Sequence, residues 1–342
     1  MNGRTHSLKV SCLLSLLALG CGADSPPEAA TPAAPAAEDV ASRGSNPVDQ
    51  PDVTSSPPSD TETAMPTWAE APSRLVAIGD LHGDVVATRN VLVMAGVMDD
   101  QDRWSGEDTV VVQVGDQLDR GDSEREILHL LESLGEEAEA AGGAVYVLHG
   151  NHETMNVQLD LRYVTVGGFE DFADVPYDPL DPLYGQHPVA EAGRVAAFRP
   201  GGPYATLLSA HNTIMVVGDT IFVHGGVLPE HTSYGIDRIN EEIRSWMRGD
   251  SPEPLSVASS SSPVWSRHYS DSPDLSDCLL LFEVLETLGL SRMVVAHTVQ
   301  SQGISAACEQ KVWRVDVGLA SYYGGLPSAL EIVGDVVTVL QE

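Results

Sequence analysis

Basic side chains are scarce in this sequence of 342 residues: 18 lysines and arginines stand against 50 aspartates and glutamates, a formal net charge of −32. A chain so short of cations repels phosphate backbones, which excludes general nucleic-acid binding and disfavours polyphosphates as substrates. Long apolar runs are absent as well. No stretch reaches 18 apolar residues, so no ordinary membrane-spanning helix is encoded. Cysteine is confined to four positions, Cys12, Cys21, Cys278 and Cys308. What is present is an apolar content of 42 %, which rules out disorder throughout and allows one large domain or two small ones.

The N-terminus reads as an address rather than as part of a fold. Arg4 and Lys9 precede an apolar run from Val10 to Leu19 that ends in Gly20-Cys21-Gly22. A basic segment, a short apolar segment and small residues at a cleavage point mark an export signal over residues 1–20. The cysteine just past that point resembles a bacterial lipobox, in which the new N-terminal Cys21 takes a lipid. The pattern departs at Ala18, where leucine is usual, with Leu17 one place earlier. The other reading is an ordinary signal peptide with an incidental cysteine, although a lone exposed thiol is a liability in an oxidising compartment. The expectation is export from a bacterial cytoplasm and attachment to a membrane through Cys21, in the periplasm or at the cell surface.

Residues 21–72 hold ten of the 22 prolines and nine acids against Arg43 as the sole base. Such a segment buries too little apolar surface to offset its ordering entropy, and is expected to be an extended tether. With Cys12 lost and Cys21 lipidated, Cys278 and Cys308 remain. They form either one disulfide, which an exported domain favours, or two separately buried thiols.

From residue 73 short β-rich runs end in polar, glycine-containing turns: Arg74–Ile78, Thr109–Val114, Ala144–Leu148, Ile221–Val223 and Met293–Val295. Between the early runs, Val86–Met98 and Glu124–Ala141 carry apolar residues at helical spacing. Strand alternating with helix implies a mixed or parallel sheet covered by helices, with ligand residues at the carboxyl ends of strands. Trp313–Val317, Ala329–Ile332 and Val336–Leu340 are consecutive strand candidates, the last two joined by Gly334-Asp335, and are expected to build a second sheet. Residues 160–203 are poor in regular signals and are expected to form a lid or insert; Ser251–Pro263 reads as a further loop.

The turns carry chemistry. G-D-L-H-G-D holds Asp80 and His82, G-D-Q-L-D-R-G-D holds Asp116, Asp119 and Arg120, and G-N-H-E holds Asn151 and His152; His224 stands in H-G-G and His297 in A-H-T. These strings, in this order, resemble the calcineurin-like metallophosphoesterases. The first three take the phosphoprotein phosphatase form. The continuations G-N-H-E-T-M-N-V-Q-L-D-L-R-Y-V-T, P-V-W-S-R-H-Y, M-V-V-A-H-T-V-Q and W-R-V-D-V-G-L are similar to its Shewanella-like branch.

That resemblance implies an α/β fold of two mixed β-sheets packed as a sandwich and flanked by helices. It implies Asp80, His82 and Asp116 as ligands of one metal and Asp116, Asn151, His224 and His297 as ligands of a second, with Asp116 shared. Imidazole, carboxylate and amide together suit Mn²⁺, Fe or Zn²⁺ better than Ca²⁺. Two such ions activate a shared water for in-line attack on phosphorus. His152 matches the acid that protonates the leaving oxygen, Asp119 the carboxylate that orients it, and Arg120, with Asn151, the phosphate-binding group. Arg267 aligns with a second phosphate arginine or is a surface arginine beside Trp265. His149, where many eukaryotic relatives have arginine, either lines the site or belongs to the core; His187 and His211 have no motif support.

The function expected is hydrolysis of phosphomonoesters on phosphoproteins, at serine and threonine or at tyrosine. The alternatives are a small-molecule phosphatase or phosphodiesterase in a scavenging role, and a tethered binding module without catalysis.

Overall fold

A computed structural model of the protein describes residues 65–341. The stretches expected to form an export signal and a tether, Cys21 included, lie outside the described residues as far as residue 64. Eleven strands alternate with ten helices among those described. The strands are β1 (Trp68–Ala69), β2 (Leu75–Ile78), β3 (Val110–Gln113), β4 (Ala144–Val147), β5 (Ile214–Val217), β6 (Thr220–Val223), β7 (Arg292–Val295), β8 (Ser305–Ala307), β9 (Val312–Arg314), β10 (Ser328–Val333) and β11 (Val336–Gln341). The helices are α1 (Val85–Met94), α2 (Glu124–Ala141), α3 (Asn151–Val157), α4 (Val166–Glu170), α5 (Ala192–Phe198), α6 (Pro203–Leu208), α7 (Pro229–Tyr234), α8 (Ile236–Met247), α9 (Leu255–Ala258) and α10 (Leu275–Leu288).

Two mixed sheets result, one ordered β1-β5-β6-β7-β9-β8 and the other β11-β10-β2-β3-β4. Side chains of a strand alternate between its two faces, and the core divides accordingly. Leu75, Ala77, Val112, Met215, Val217, Phe222, Val294 and Leu330 share one apolar cluster between the sheets. Their neighbours Val76, Ile78 and Val111 pack with α1 and α2, while Ile214, Val216, Ile221 and Met293 pack with α5, α8 and α10. Strands buried on both faces read as continuous apolar runs, which is why LVAI and VVVQ carry no alternation.

Helix ends follow local chemistry. The Asp84 carboxylate accepts the Ala87 amide at 2.9 Å and starts α1. Gly142 at φ 90° ends α2, as Gly289 at φ 69° ends α10. The helix expected over Val86–Met98 stops at Met94, because Gly96 takes φ 67° and turns the chain.

Several expectations require correction. The last three strands do not make a sheet of their own: β9 lies beside β7, whereas β10 and β11 extend the sheet of β2, β3 and β4 through antiparallel pairing of β10 with β2. Partner choice between strands is non-local, and a one-dimensional pattern does not encode it. Residues up to 72 are not all tether: Trp68 and Ala69 pair in parallel with Val216 and Val217, since main-chain hydrogen bonds need no apolar sequence. The segment 160–203 is no detached lid. Every residue of α5 is buried, and Phe172 and Phe198 belong to the core. Within 251–263 the chain makes the single turn α9, with Val257 buried. The fold itself is the sandwich of two mixed sheets that the motifs imply.

Cys278, on α10, and Cys308, between β8 and β9, form a disulfide with a Cα–Cα distance of 5.2 Å and a separation of 30 residues. Opening a loop of this length is expected to cost about 3–4 kcal/mol through the entropy of the unfolded chain. Urea unfolding of oxidised protein against the double Cys278→Ala, Cys308→Ala variant checks this, and equal midpoints would refute a structural role.

Candidate metal centre

The strand ends supply the side chains. Asp80 and His82 follow β2, Asp116 follows β3, Asn151 and His152 open α3 after β4, His224 follows β6 and His297 follows β7. The loops turn sharply to bring them together. His82 (φ 45°), Asp116 (56°), Asp119 (67°), Arg120 (72°) and His297 (68°) all occupy left-handed backbone, at about 1–3 kcal/mol each for non-glycine residues. Glycine makes the close approach possible. A Cβ on Gly150 would lie 2.1 Å from Asp116 Oδ1, and one on Gly115 (φ 92°) 2.6 Å from the Gly150 nitrogen.

Second partners fix how the imidazoles point. Nδ1 of His82 donates to the Leu118 carbonyl at 3.0 Å and Nδ1 of His224 to the Val114 carbonyl at 2.9 Å. A carbonyl only accepts, so each Nε2 presents a lone pair to the interior. His224 Nε2 then faces Asn151 Oδ1 at 3.0 Å, His297 Nδ1 at 3.1 Å and Asp116 Oδ2 at 3.2 Å. His82 Nε2 faces Asp80 Oδ2 at 3.7 Å and Asp116 Oδ2 at 3.8 Å. With the rings neutral, imidazole nitrogens and carboxylate oxygens face each other with no hydrogen between them. Burial lowers the pKa of His224, but Asp116 outweighs burial and raises it, and Nε2 of His297 is buried without a partner.

Two groups of three donors come together, His82 with Asp116 and His152, and Asp116 with His224 and His297, the donor atoms of each within 4.8 Å of one another. Asp116 belongs to both. Burial, reinforced by Asp316 and Asp116, pushes the Asp80 carboxyl well above the usual range. Burial lifts Asp116 too, but His224, His152 and His82 outweigh it and hold that carboxyl well below the usual range. Burial drives His82 down to about 4 and Asp316 up to about 6. A set of buried carboxylate oxygens and imidazole nitrogens converging within a few ångströms fits divalent metal ions.

His152 lies beside this cluster. Its Nδ1 donates to Asp119 Oδ2 at 2.6 Å, which leaves Nε2 facing the cluster, 3.8 Å from Asp116 Oδ2. Burial alone would lower its pKa; the carboxylates of Asp116 and Asp119 outweigh burial and raise it. Arg120 borders a cleft of about 530 Å³ lined also by His82, Asp84 and Tyr322. Its guanidinium stacks 4.2 Å from the Tyr163 ring centroid and donates to the Tyr322 hydroxyl at 2.9 Å. Arg267 stands at the rim. It donates to the His297 carbonyl at 3.2 Å and to Thr298 Oγ1 at 2.6 Å, with Trp265 edge-on to the His297 ring.

His149 is a core histidine: its nitrogens are matched by Thr213 Oγ1 at 3.1 Å and the Leu208 carbonyl at 2.8 Å. His211 pairs with Glu132 at 2.6 Å, and His187 lies 3.6 Å from Glu191. Residues without an assigned role in the motif reading also shape the site. Asp316 stands within a quoted string, W-R-V-D, yet only the fold places its carboxylate beside Asp80. Tyr163 likewise lies in L-R-Y-V. Tyr322 and Tyr323 follow the strings, and an adjacent aromatic pair in a glycine-rich loop was the available signal. Arg194 had none.

The model of the calcineurin-like phosphoesterase family matches residues 73–301. Shewanella-like protein phosphatase 2 of Arabidopsis thaliana is 42 % identical over 311 residues, 81 % of this chain and 80 % of the relative. An uncharacterised protein of Schizosaccharomyces pombe is 31 % identical, covering 76 % of this chain and 77 % of its own. Among solved structures, the cold-active protein-tyrosine phosphatase of a psychrophilic Shewanella superposes with a TM-score of 0.66 at 23 % identity, over 86 % of this chain and 89 % of the other. That likeness is one of fold. On the family match, the relatives and the donor set together, the chain belongs to the calcineurin-like phosphoesterases, on the Shewanella-like protein phosphatase branch, and is a metal-dependent phosphatase.

Proposed function

We propose that the protein hydrolyses phosphomonoesters on phosphorylated proteins, outside the cytoplasm. The observation that carries this is the juxtaposition of the His152–Asp119 pair with buried donors gathered around Asp116, which meets His82 on one side and His224 and His297 on the other. Asp80, His82 and Asp116 would hold one divalent ion, and Asp116, Asn151, His224 and His297 a second, manganese first among the ions proposed, with iron and zinc also suited to their imidazole, carboxylate and amide donors. When bound, the ions supply Lewis acidity and a nucleophilic water at neutral pH.

The chain's own residues do the rest. Arg120 offers its planar fork to two phosphate oxygens and is held for that purpose between Tyr163 and Tyr322. Arg267 and Asn151 border the same phosphate. As the oxygen of water bonds to phosphorus and the ester P–O bond breaks, His152 Nε2 passes its proton to the departing oxygen. Asp119 holds the ring in position by accepting from Nδ1. The products are inorganic phosphate and a free hydroxyl on the protein. The basic and apolar stretch ending at Cys21 supports export and lipid anchoring, which would keep the enzyme at a membrane surface.

His152→Asn is expected to lower kcat by about 10²-fold or more with metal content unchanged, the scale of lost acid catalysis. Asp116→Asn is expected to remove metal and activity together; elemental analysis beside turnover checks both, and an Asp116→Asn protein that kept both would refute the shared-ligand assignment. Arg120→Ala is expected to raise KM about 10- to 100-fold, the worth of a charged hydrogen bond, with a smaller effect on kcat. A panel of phosphotyrosine, phosphoserine and phosphothreonine peptides against nucleotides and sugar phosphates tests the substrate class. Higher kcat/KM on the small phosphates would replace the phosphoprotein reading by a scavenging one.

A further inference from the structure

Arg194 is fully buried on α5, inside the stretch 160–203 where sequence patterning is weakest. Its five N–H groups are committed to the region behind His152. Nη2 donates to Asp119 Oδ1 at 3.2 Å, and Nε donates to Asn156 Oδ1 at 2.9 Å. Because Asn156 presents its oxygen to Arg194, its amide nitrogen faces the other way, donating to Asp119 Oδ1 at 3.0 Å and to the His152 carbonyl at 2.9 Å. The remaining fork binds Glu124 and the Gly168 carbonyl. Glu124 in turn accepts the main-chain N–H of Asp119. Phe172 and Phe198 flank the guanidinium, with ring centroids 5.2 and 5.0 Å away.

Arg194 therefore holds Asp119 three ways: at its carboxylate directly, at the same oxygen through Asn156, and at its main chain through Glu124. Among the described residues it is also the one cation in contact with the carboxylates of both Asp119 and Glu124. Asp119 has a second oxygen, Oδ2, and that one takes the His152 Nδ1–H. With Oδ1 occupied by Arg194 and Asn156, the carboxylate has a single orientation available, and so has the imidazole.

We propose that Arg194 is the positioning residue of the His152–Asp119 pair, fixing the direction in which His152 delivers its proton to the leaving oxygen. This rests on the reading of His152 as the proton donor. A purely structural arginine, stapling α5 to the core, would affect folding and all substrates alike. A positioning residue affects those substrates that need the proton.

The test compares kcat/KM for two aryl monophosphates, 4-nitrophenyl phosphate, whose leaving group departs readily without protonation, and phenyl phosphate, whose leaving group does not. For metal-replete Arg194→Met, turnover of phenyl phosphate should fall by about 10²-fold and that of 4-nitrophenyl phosphate by far less. Metal content and inhibition by inorganic phosphate should stay as in the unaltered protein. An equal loss on both substrates, or no loss, overturns the proposal. Should Arg194→Met fail to fold because Glu124 is left unpaired, Arg194→Met with Glu124→Gln removes both charges of the buried pair and keeps an acceptor for the Asp119 amide; the same two outcomes apply. His152→Asn runs alongside. If it loses both substrates equally, the proton-donor reading itself fails; if it is selective while the Arg194 variants are not, only the role of Arg194 fails.

Discussion

Four main-chain amides converge on one buried carboxylate, that of Glu153. It accepts from Gly150 at 2.6 Å, from Asp116 and Gln117 at 2.8 Å each and from Leu118 at 3.1 Å. Gly150 opens the loop after β4, and the other three belong to the loop after β3. One side chain thus clamps together the two turns that present Asp116, Asp119, Asn151 and His152. Charge-assisted bonds to amides are among the stronger hydrogen bonds available in an interior. The left-handed backbone at Asp116 and Asp119 is tolerable because this clamp leaves the loop no alternative course. The E of G-N-H-E is in this sense the residue on which the other three letters depend.

The same region concentrates negative charge away from water. Asp80, Asp116, Glu153 and Asp316 are all buried within a short span of one another, and without counter-charge they oppose folding. Histidines, amides and the metal ions that the donor set fits are the compensation, so metal binding and stability are linked: whatever binds the folded chain and not the unfolded one stabilises it by mass action. The overall acidity of the sequence has a separate effect. It leaves Arg120 and Arg267 as local cations in a negative surround, which disfavours the approach of a multiply charged anion.

Legibility in the sequence followed the distance over which each feature is determined. A polar residue closing an apolar β-run is local information, with a glycine beside it at every such end but that of His297, and it places Asp80, His82, Asp116, Asn151, His224 and His297 at strand ends. The assignment of β10 and β11 to the sheet of β2 rather than to that of β9 depends on pairing across more than two hundred residues, Leu330 with Ala77 among them, and no window of sequence contains it. β5 (I-M-V-V) carries the same signal, ending in Gly218-Asp219, but it holds none of the metal-binding strings that drew the other strands out. Arg194 was hidden for another reason. Its surroundings, A-E-A-G-R-V-A-A-F-R-P, read as a bland small-residue stretch, and the small residues are what let α5 bury completely while the arginine reaches through to Glu124 and Asp119. Composition marked that segment as irregular; packing made it part of the interior.

The pairing of β10 with β2 ties the strand that leads into Asp80 to a distant part of the chain. The strand that carries Asp80 and His82 has β3 on one side and, on the other, a hairpin made from the final residues of the chain. Every donor, from Asp80 to His297, precedes that hairpin in the chain. Substitutions that weaken β10 or β11 therefore act on the edge of the sheet that the chemistry stands on.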